Sequence, residues 1–295
     1  MDVSIIIVSF NTKELLADCL KSAKAANSNL KAELFVVDNN STDGSADMVK
    51  KDFPNVNLIA NHENVGFSSA NNQALVQAKG KYLLILNPDT KLMPQTLKIM
   101  KSYMDKNPNV AVSTCRVELP NGQLDIDCRR HFPTPWRAFC HFSHLSKIFK
   151  GSKLFDQYNM GYLSDAKEHE IDSCVGAFMF IRRESAEKVG YFDEDFFFYG
   201  EDLDWCWRFR EYGYKITYNP ATKIIHYKGV SSGIKKISKH LTLATRSSRR
   251  KAILESTRAM ELFYKKHYFQ KYPFFIDKLI IATIKVLTVL RLAIL

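Results

Sequence analysis

No two of the six cysteines in this 295-residue chain form a CxxC pair or a close cluster. That argues against a structural zinc site or a disulfide framework. There is no basic segment followed by an apolar one at the N-terminus, so a reducing cytoplasm is the expected setting. The chain also has no G-x-G-x-x-G turn after its first strand and no Walker lysine loop, which argues against dinucleotide and P-loop chemistry. Internal repeats and low-complexity tracts are missing too. At 46% hydrophobic residues, what remains is enough to bury the core of one large domain with an appendage.

The net charge of +11 is unevenly spread. Residues 234–295 hold 14 Lys/Arg against 3 Asp/Glu, which leaves 28 of each in residues 1–233. A polyanion-binding core would carry the excess on its own face, so no nucleic-acid partner is expected. The expected organisation is a neutral catalytic domain over 1–233. A basic helical tail over 234–295 follows it.

"VSIIIVSFN" (3–11) is a continuous β-branched run, as expected of a strand buried on both faces. "TKELLADCLKSAKAA" (12–26) has helical spacing, with Thr12 as its expected N-cap. "AELFVVDNNSTDGS" (32–45), a strand ending in a polar turn, and strands at 56–61 and 82–87 alternate with helices at 45–52 and 66–78. The alternation predicts an α/β fold with a doubly wound, mostly parallel sheet and ligands outside the strand C-termini. A helix over 94–106 and the strand "VAVSTCRVEL" precede a segment, 120–170, that reads as irregular and substrate-facing. Beyond it lie a strand at 174–183, the helix "ESAEKVG", a helix at 199–213 ended by Gly213, and two strands, "KITYNP" and "TKIIHYKG".

Polar clusters end successive strands: Ser9 and Asn11, then Asp38 and Asn40, then Asn87 and Asp89. In a parallel sheet these converge on one rim. Taken alone, Asp38 is the start of an Asx turn in "DNNSTDG". "LNPDT" by itself is a turn at a strand end. His226 by itself is a packed core histidine, and the acidic first turn Glu201, Asp202, Asp204 complements a helix dipole. Asp204 also stands i,i+4 to Arg208.

The ordered run "VSIIIVSFN…FVVDNNSTDGS…NVGFSSANNQA…YLLILNPDT" resembles the nucleotide-binding half of family 2 glycosyltransferases, which have the GT-A fold. "VGAFMFIRRE…GYFDEDFFFYGEDLDWCWRFREYGYKITYNPATKIIHYKG" is similar to the subgroup that includes rhamnosyltransferases of bacterial surface polysaccharides. The resemblance covers residues 3–233 and implies a division near residue 115 into a nucleotide-binding and an acceptor-binding half. It implies a nucleotide-sugar donor, held by Val8, Ser9, Asn11, Asp38, Asn40, Gly66, Phe67, Asn71, Asn87 and Asp89, with Asp38 reading the nucleobase or ribose. It implies Mn²⁺ or Mg²⁺ as cofactor, on Asp89 and His226, with Asp89 at the last position of a D-x-D motif and Asn87 departing from its first. Asp202 would be the general base of an inverting transfer, with Glu201 and Trp205 on the acceptor side. Arg129 and Arg130 could contact a phosphate or lie in a solvated loop. The implied donor is dTDP-L-rhamnose, with UDP-hexoses or UDP-N-acetylhexosamines as alternatives, and the acceptor a lipid-linked or nascent polysaccharide. A catalytically inactive membrane-bound relative is the different-class reading.

"FFIDKLIIATIKVLTVLRLAIL" (274–295) is apolar but broken by Asp277, Lys278, Lys285 and Arg291, which fall largely on one arc. It reads as an interfacial helix on an anionic membrane surface rather than a span, at the cytoplasmic face of the membrane. Core packing or an oligomer contact is the alternative.

Overall fold

The protein is described from a computed structural model over residues 1–27, 30–228 and 245–295. The boundary after Gly233 and the first part of the basic tail, 234–244, lie outside the described residues.

β1 (Val3–Ser9) is buried at every position because it has a strand on each side and helices on each face. α1 (Lys13–Ala26) follows. Its expected cap, Thr12, instead shares a hydrogen bond with Ser9 at 2.9 Å, and the Lys13 N–H is capped by Asp43 Oδ2 at 2.9 Å. β2 (Ala32–Asp38), α2 (Ser45–Asp52), β3 (Asn57–Ala60), α3 (Phe67–Leu75) and β4 (Tyr82–Leu86) complete the first half. β3, β2, β1 and β4 lie parallel in that order, as the alternation predicts.

β5 (Thr90–Leu92), α4 (Thr96–Lys106) and β6 (Val110–Glu118) come next. The segment expected to be irregular contains a 3₁₀ turn at Ile126–Cys128 and two helices, α5 (Pro135–Phe142) and α6 (Leu145–Ile148). α5 starts where Thr134 accepts the Arg137 N–H at 3.3 Å with Pro135 at the first helical position. β7 (His169–Ile171), β8 (Phe178–Arg182), α7 (Arg183–Val189), α8 (Glu201–Glu211) and β9 (Lys215–His226) follow. β8 enters antiparallel between β4 and β6, so the sheet is mixed.

The two strands expected at 215–220 and 222–229 are one, Lys215–His226. Its register with β6 slips between Asn219 and Lys223, at Pro220. The slip separates a first part paired with β7 from a second part paired with β5, where His226 stands opposite Thr90.

α9 (Arg246–His267) and α10 (Phe274–Ala293) form a hairpin over α8. Phe263 and Tyr268 pack around Trp207 with ring centroids 5.9 and 5.2 Å away, and His267 stacks on the same indole at 4.8 Å. Burying Phe263 alone stabilises this docking by about 1.5–3 kcal/mol. His267 Nε2 also lies 2.8 Å from Asp204 Oδ1, while Asp204 Oδ2 holds Arg208 at 2.8 Å as the i,i+4 spacing predicts. Asp277, expected on a solvated arc, is buried. It accepts the Tyr264 hydroxyl at 2.5 Å and the Gln270 N–H at 3.2 Å, pinning the corner of the hairpin. Among the described residues, no helix is long and apolar enough to cross a membrane.

Candidate functional site

The strand ends open on a cavity of about 1190 Å³. Drug-sized ligands usually occupy roughly 300–1000 Å³, so this one exceeds the usual size of a single-ligand pocket. Its floor is the sheet rim (Val8, Asn39, Asn87, Asp89, His226) and its walls are α5, the start of α8, α9 and α10.

On the floor, the β5–β9 register and the Tyr227 N–H to Asp89 carbonyl bond, 2.9 Å, bring two buried side chains together. His226 Nε2 lies 3.4 Å from Asp89 Oδ1, and its Nδ1 lies 3.0 Å from Asp125 Oδ2. Burial opposes charge on this imidazole, but the Asp89 and Asp125 carboxylates overcome it and raise its pKa to about 9. Lys228 pairs with Asp125, and with Asp127 at 2.6 Å. Neither carboxylate of "DID" nor Lys228 was expected at the site. Their signal was two carboxylates at i,i+2 beside a basic run, and a lysine two residues after the histidine.

Among the described residues no three His, Cys, Asp or Glu side chains form a metal cluster. A Mg²⁺ or Mn²⁺ site completed by a substrate's phosphates needs fewer protein ligands. The donor set fits such an ion, which would displace the proton from His226 Nε2: a carboxylate oxygen faces an imidazole nitrogen whose other nitrogen is oriented by a second carboxylate.

On the donor side, Gly66 has φ +88°, and a Cβ there would lie 2.7 Å from the Phe197 carbonyl and ring. Only glycine allows that approach, which lets the Phe67 N–H reach the Phe197 carbonyl at 2.7 Å. Asp38 makes the Asx turn and keeps one carboxylate oxygen free of it. Its Oδ2 accepts the Ser41 N–H at 2.9 Å as an Asx turn, while Oδ1 is buried with no hydrogen-bond partner among the described residues. Such an orphaned acceptor is open to a ligand donor, but Asp38 does not itself line the cavity, which its neighbour Asn39 does.

Several expected donor contacts do not line the cavity. Ser9 is buried on Thr12, and Asn71 turns back to the Phe67 carbonyl at 2.8 Å from the buried face of α3. Asn11 (φ 54°) and Asn40 (φ 67°) shape the loop, with Asn11 accepting the Thr42 N–H at 2.8 Å. Asn39, not expected, lines the cavity and ties Asn61, Asn64 and the Gly66 carbonyl together.

Across the cavity, Gly200 in the left-handed region starts α8 and presents Glu201 and Asp202. Asp202 Oδ2 accepts from Arg130 Nη2 at 2.7 Å, and the guanidinium also donates to the Cys174 carbonyl at 3.0 Å. Burial works against charge on Arg130, yet the Asp202 carboxylate holds its pKa well above the usual value. Glu201 has no such partner. Burial first, and the Asp202 charge second, push its pKa up to about 8, and its Oε2 is left without a hydrogen bond. Arg129 is structural: it donates to the Ser164 and Leu163 carbonyls and stacks 5.4 Å over Tyr218. Trp205, expected on the acceptor side, is 0% exposed; its indole donates to the Gly190 carbonyl at 2.7 Å and packs on Phe192. One helical turn separates cavity from core here, and Trp205 falls on the core side.

Comparison with known proteins agrees with this architecture. The chain is 24% identical over 211 residues to the N-acetylglucosaminyl-diphospho-decaprenol L-rhamnosyltransferase of Mycobacterium tuberculosis, covering 68% of each protein. It is 28% identical over 172 residues to the rhamnosyltransferase WbbL of Escherichia coli, covering 55% of this chain and 61% of that one. A solved structure of the mannosyltransferase PcManGT from Pyrobaculum calidifontis, in complex with GDP-Man and Mn²⁺, superposes with a TM-score of 0.56 at 19% identity. That match covers 87% of this chain and 63% of the other. The family model described as glycosyl transferase family 2 matches residues 4–190, which leaves α8 and His226 beyond its end. The chain belongs to glycosyl transferase family 2 and has the GT-A fold.

Proposed function

We propose that the protein transfers L-rhamnose from dTDP-L-rhamnose, with inversion, to a hydroxyl of a lipid-linked or nascent cell-surface glycan. The transfer takes place at the cytoplasmic face of the membrane. The observation that carries this reading is the meeting of two facing groups in one cavity, Asp89 with His226 on the floor and Asp202 with Glu201 on the wall. The choice of rhamnose and of a lipid-linked acceptor is supported by the names of the rhamnosyltransferase relatives. UDP-hexoses are the competing donors.

In this reading Asp38 Oδ1 accepts the imide N–H of thymine or uracil, beside Val8. Gly66 and Phe67 line the nucleotide's path, and Asn87 contributes an amide without charge. Asp89 and His226 would hold Mn²⁺ or Mg²⁺; bound with the donor's phosphates, it would take up charge developing on the departing diphosphate. Asp202 takes the acceptor hydroxyl proton as that oxygen bonds to the anomeric carbon and the bond from that carbon to the phosphate oxygen breaks. Arg130 fixes the Asp202 carboxylate in the cavity wall, and neutral Glu201 spares it a second negative charge. Residues 1–233 carry the chemistry. The tail completes the acceptor side through α9 and meets the membrane through α10.

A thermal-shift panel of dTDP-, UDP- and GDP-sugars, each with and without Mn²⁺, tests the donor assignment. Stabilisation should be largest with dTDP-L-rhamnose and Mn²⁺, since a ligand that binds only the folded chain raises its apparent stability. No shift with any of them would overturn the reading.

A further inference from the structure

The half of the cavity away from the strand ends is built from apolar side chains that a nucleotide sugar does not use. Met260 and Phe263 on α9 and Ile280, Ile284 and Leu287 on α10 line it, opposite Phe142 on α5. The space is continuous with the wall that carries Asp202, so whatever fills it has one end at the reacting centre.

The two lips of this space differ from an ordinary protein surface. On α5, Phe139 is 56% exposed and also lines the cavity, and it heads a chain of rings. Trp136 lies 5.8 Å from it, Phe155 6.0 Å from Trp136, and Phe149 4.8 Å from Phe155. On the facing lip, α10 leaves Phe274, Phe275, Val286, Val289 and Leu290 exposed. Arg291 bridges the lips: its guanidinium stands 5.7 Å over the Phe142 ring and reaches Ser256 at 3.4 Å. Soluble surfaces rarely gather this much exposed apolar area in one place, and aromatic rings beside lysines suit a membrane interface. A second cation, Lys251, lies at the junction of the apolar and strand-end halves, 4.5 Å over the Phe197 ring.

We propose that the apolar half of the cavity between α5, α9 and α10 is a binding site for the isoprenoid chain of a prenyl-diphosphate acceptor. Its first isoprene units lie along Met260, Ile280 and Leu287, and its diphosphate lies at the junction beside Lys251. The remaining chain leaves between the aromatic lip and α10 into the bilayer. The chemistry on the page selects this occupant: an apolar channel that opens at a membrane-suited mouth and ends at a general base beside a cation matches a lipid with an anionic head and a reacting sugar beyond it. The proposal rests on the lipid-linked acceptor reading above.

The test uses the full chain in detergent and needs no sugar. Farnesyl diphosphate, inorganic pyrophosphate and farnesol are titrated by calorimetry into the unaltered protein and into Met260→Asp, Leu287→Asp, Thr283→Trp and Val76→Asp. Thr283 is an exposed position on the channel wall, so its variant narrows the space without a buried charge and covers unfolding of the two aspartate variants. Val76, at the end of α3, is 66% exposed and lines neither the cavity nor its lips. Farnesyl diphosphate should bind at least tenfold more tightly than pyrophosphate or farnesol, weaken tenfold or more in the three wall variants, and stay within twofold in Val76→Asp. Equal binding of pyrophosphate and farnesyl diphosphate would overturn the proposal. So would unchanged farnesyl diphosphate binding in Thr283→Trp and in whichever aspartate variants fold. Binding of dTDP-L-rhamnose, measured on the same samples, reports separately on the glycosyl-transfer reading.

Discussion

Arg130 Nη2 lies 2.7 Å from Asp202 Oδ2, with each side chain about one tenth exposed. The pair joins the loop after the 3₁₀ turn to the first turn of α8, so the proposed base is held by a residue 72 positions earlier in the chain. Removing one member of a buried pair leaves the other charge uncompensated. Arg130→Ala should therefore lower unfolding stability by about 3–5 kcal/mol in urea titrations. It should cost more than Arg130→Lys, which keeps the charge but loses the second contact to the Cys174 carbonyl. Equal stability of Arg130→Ala and the unaltered chain would show that the pair does not hold the wall.

Glu201 gives the protein a pH signature. Its folded pKa, about 8, lies above its ordinary value of 4.5, so the folded chain binds the proton more tightly than the unfolded chain. The linked stability is fully present below pH 4.5 and is lost as pH rises through about 8. Glu201→Gln keeps the neutral shape, so its stability should decline less than that of the unaltered chain between about pH 5 and 8. Parallel profiles for the two in urea titrations across that range would refute the protonated Glu201.

Asp125 touches His226 Nδ1, not the space between His226 Nε2 and Asp89. Such an orienting carboxylate typically affects metal affinity by about 10–100-fold. Asp125→Asn should shift the Mn²⁺ dependence of transfer by that factor while leaving the maximal rate at saturating Mn²⁺ within a few-fold. His226→Ala should lose both. If Asp125→Asn leaves the Mn²⁺ titration unmoved, the orienting role is wrong.

The central strands were legible because burial on both faces demands continuous apolar runs, and β1, β2 and β4 have them. β5 was not, since three residues carry no period, and its existence depends on β9 bending at Pro220 to meet it. Thr134 and Pro135 announce α5 clearly enough to have been read as a helix start. Asp89 and Asp202 were reachable through motif order. Asp125 showed only as one of two carboxylates at i,i+2, a pattern that does not reveal its pairing with His226, 101 positions away. Trp205 misled because at i+4 it shares the helix face of Glu201, and only the fold shows that one turn further along that face is covered by Gly190 and Phe192. The tail's charge pointed to a surface, whereas the ring of contacts around Trp207 and the buried Asp277 become visible only once α9 and α10 are folded against α8.

The most direct test is sugar transfer from dTDP-L-rhamnose to a prenyl-diphosphate-linked acceptor with Mn²⁺, run on the unaltered protein and on Asp202→Asn, with donor affinity measured on both. The account predicts transfer by the unaltered chain, a fall in kcat of about 10²–10⁴-fold in the variant, and donor affinity within a few-fold. Undiminished kcat in Asp202→Asn, or no transfer by the unaltered chain from this or any UDP-sugar, would contradict it.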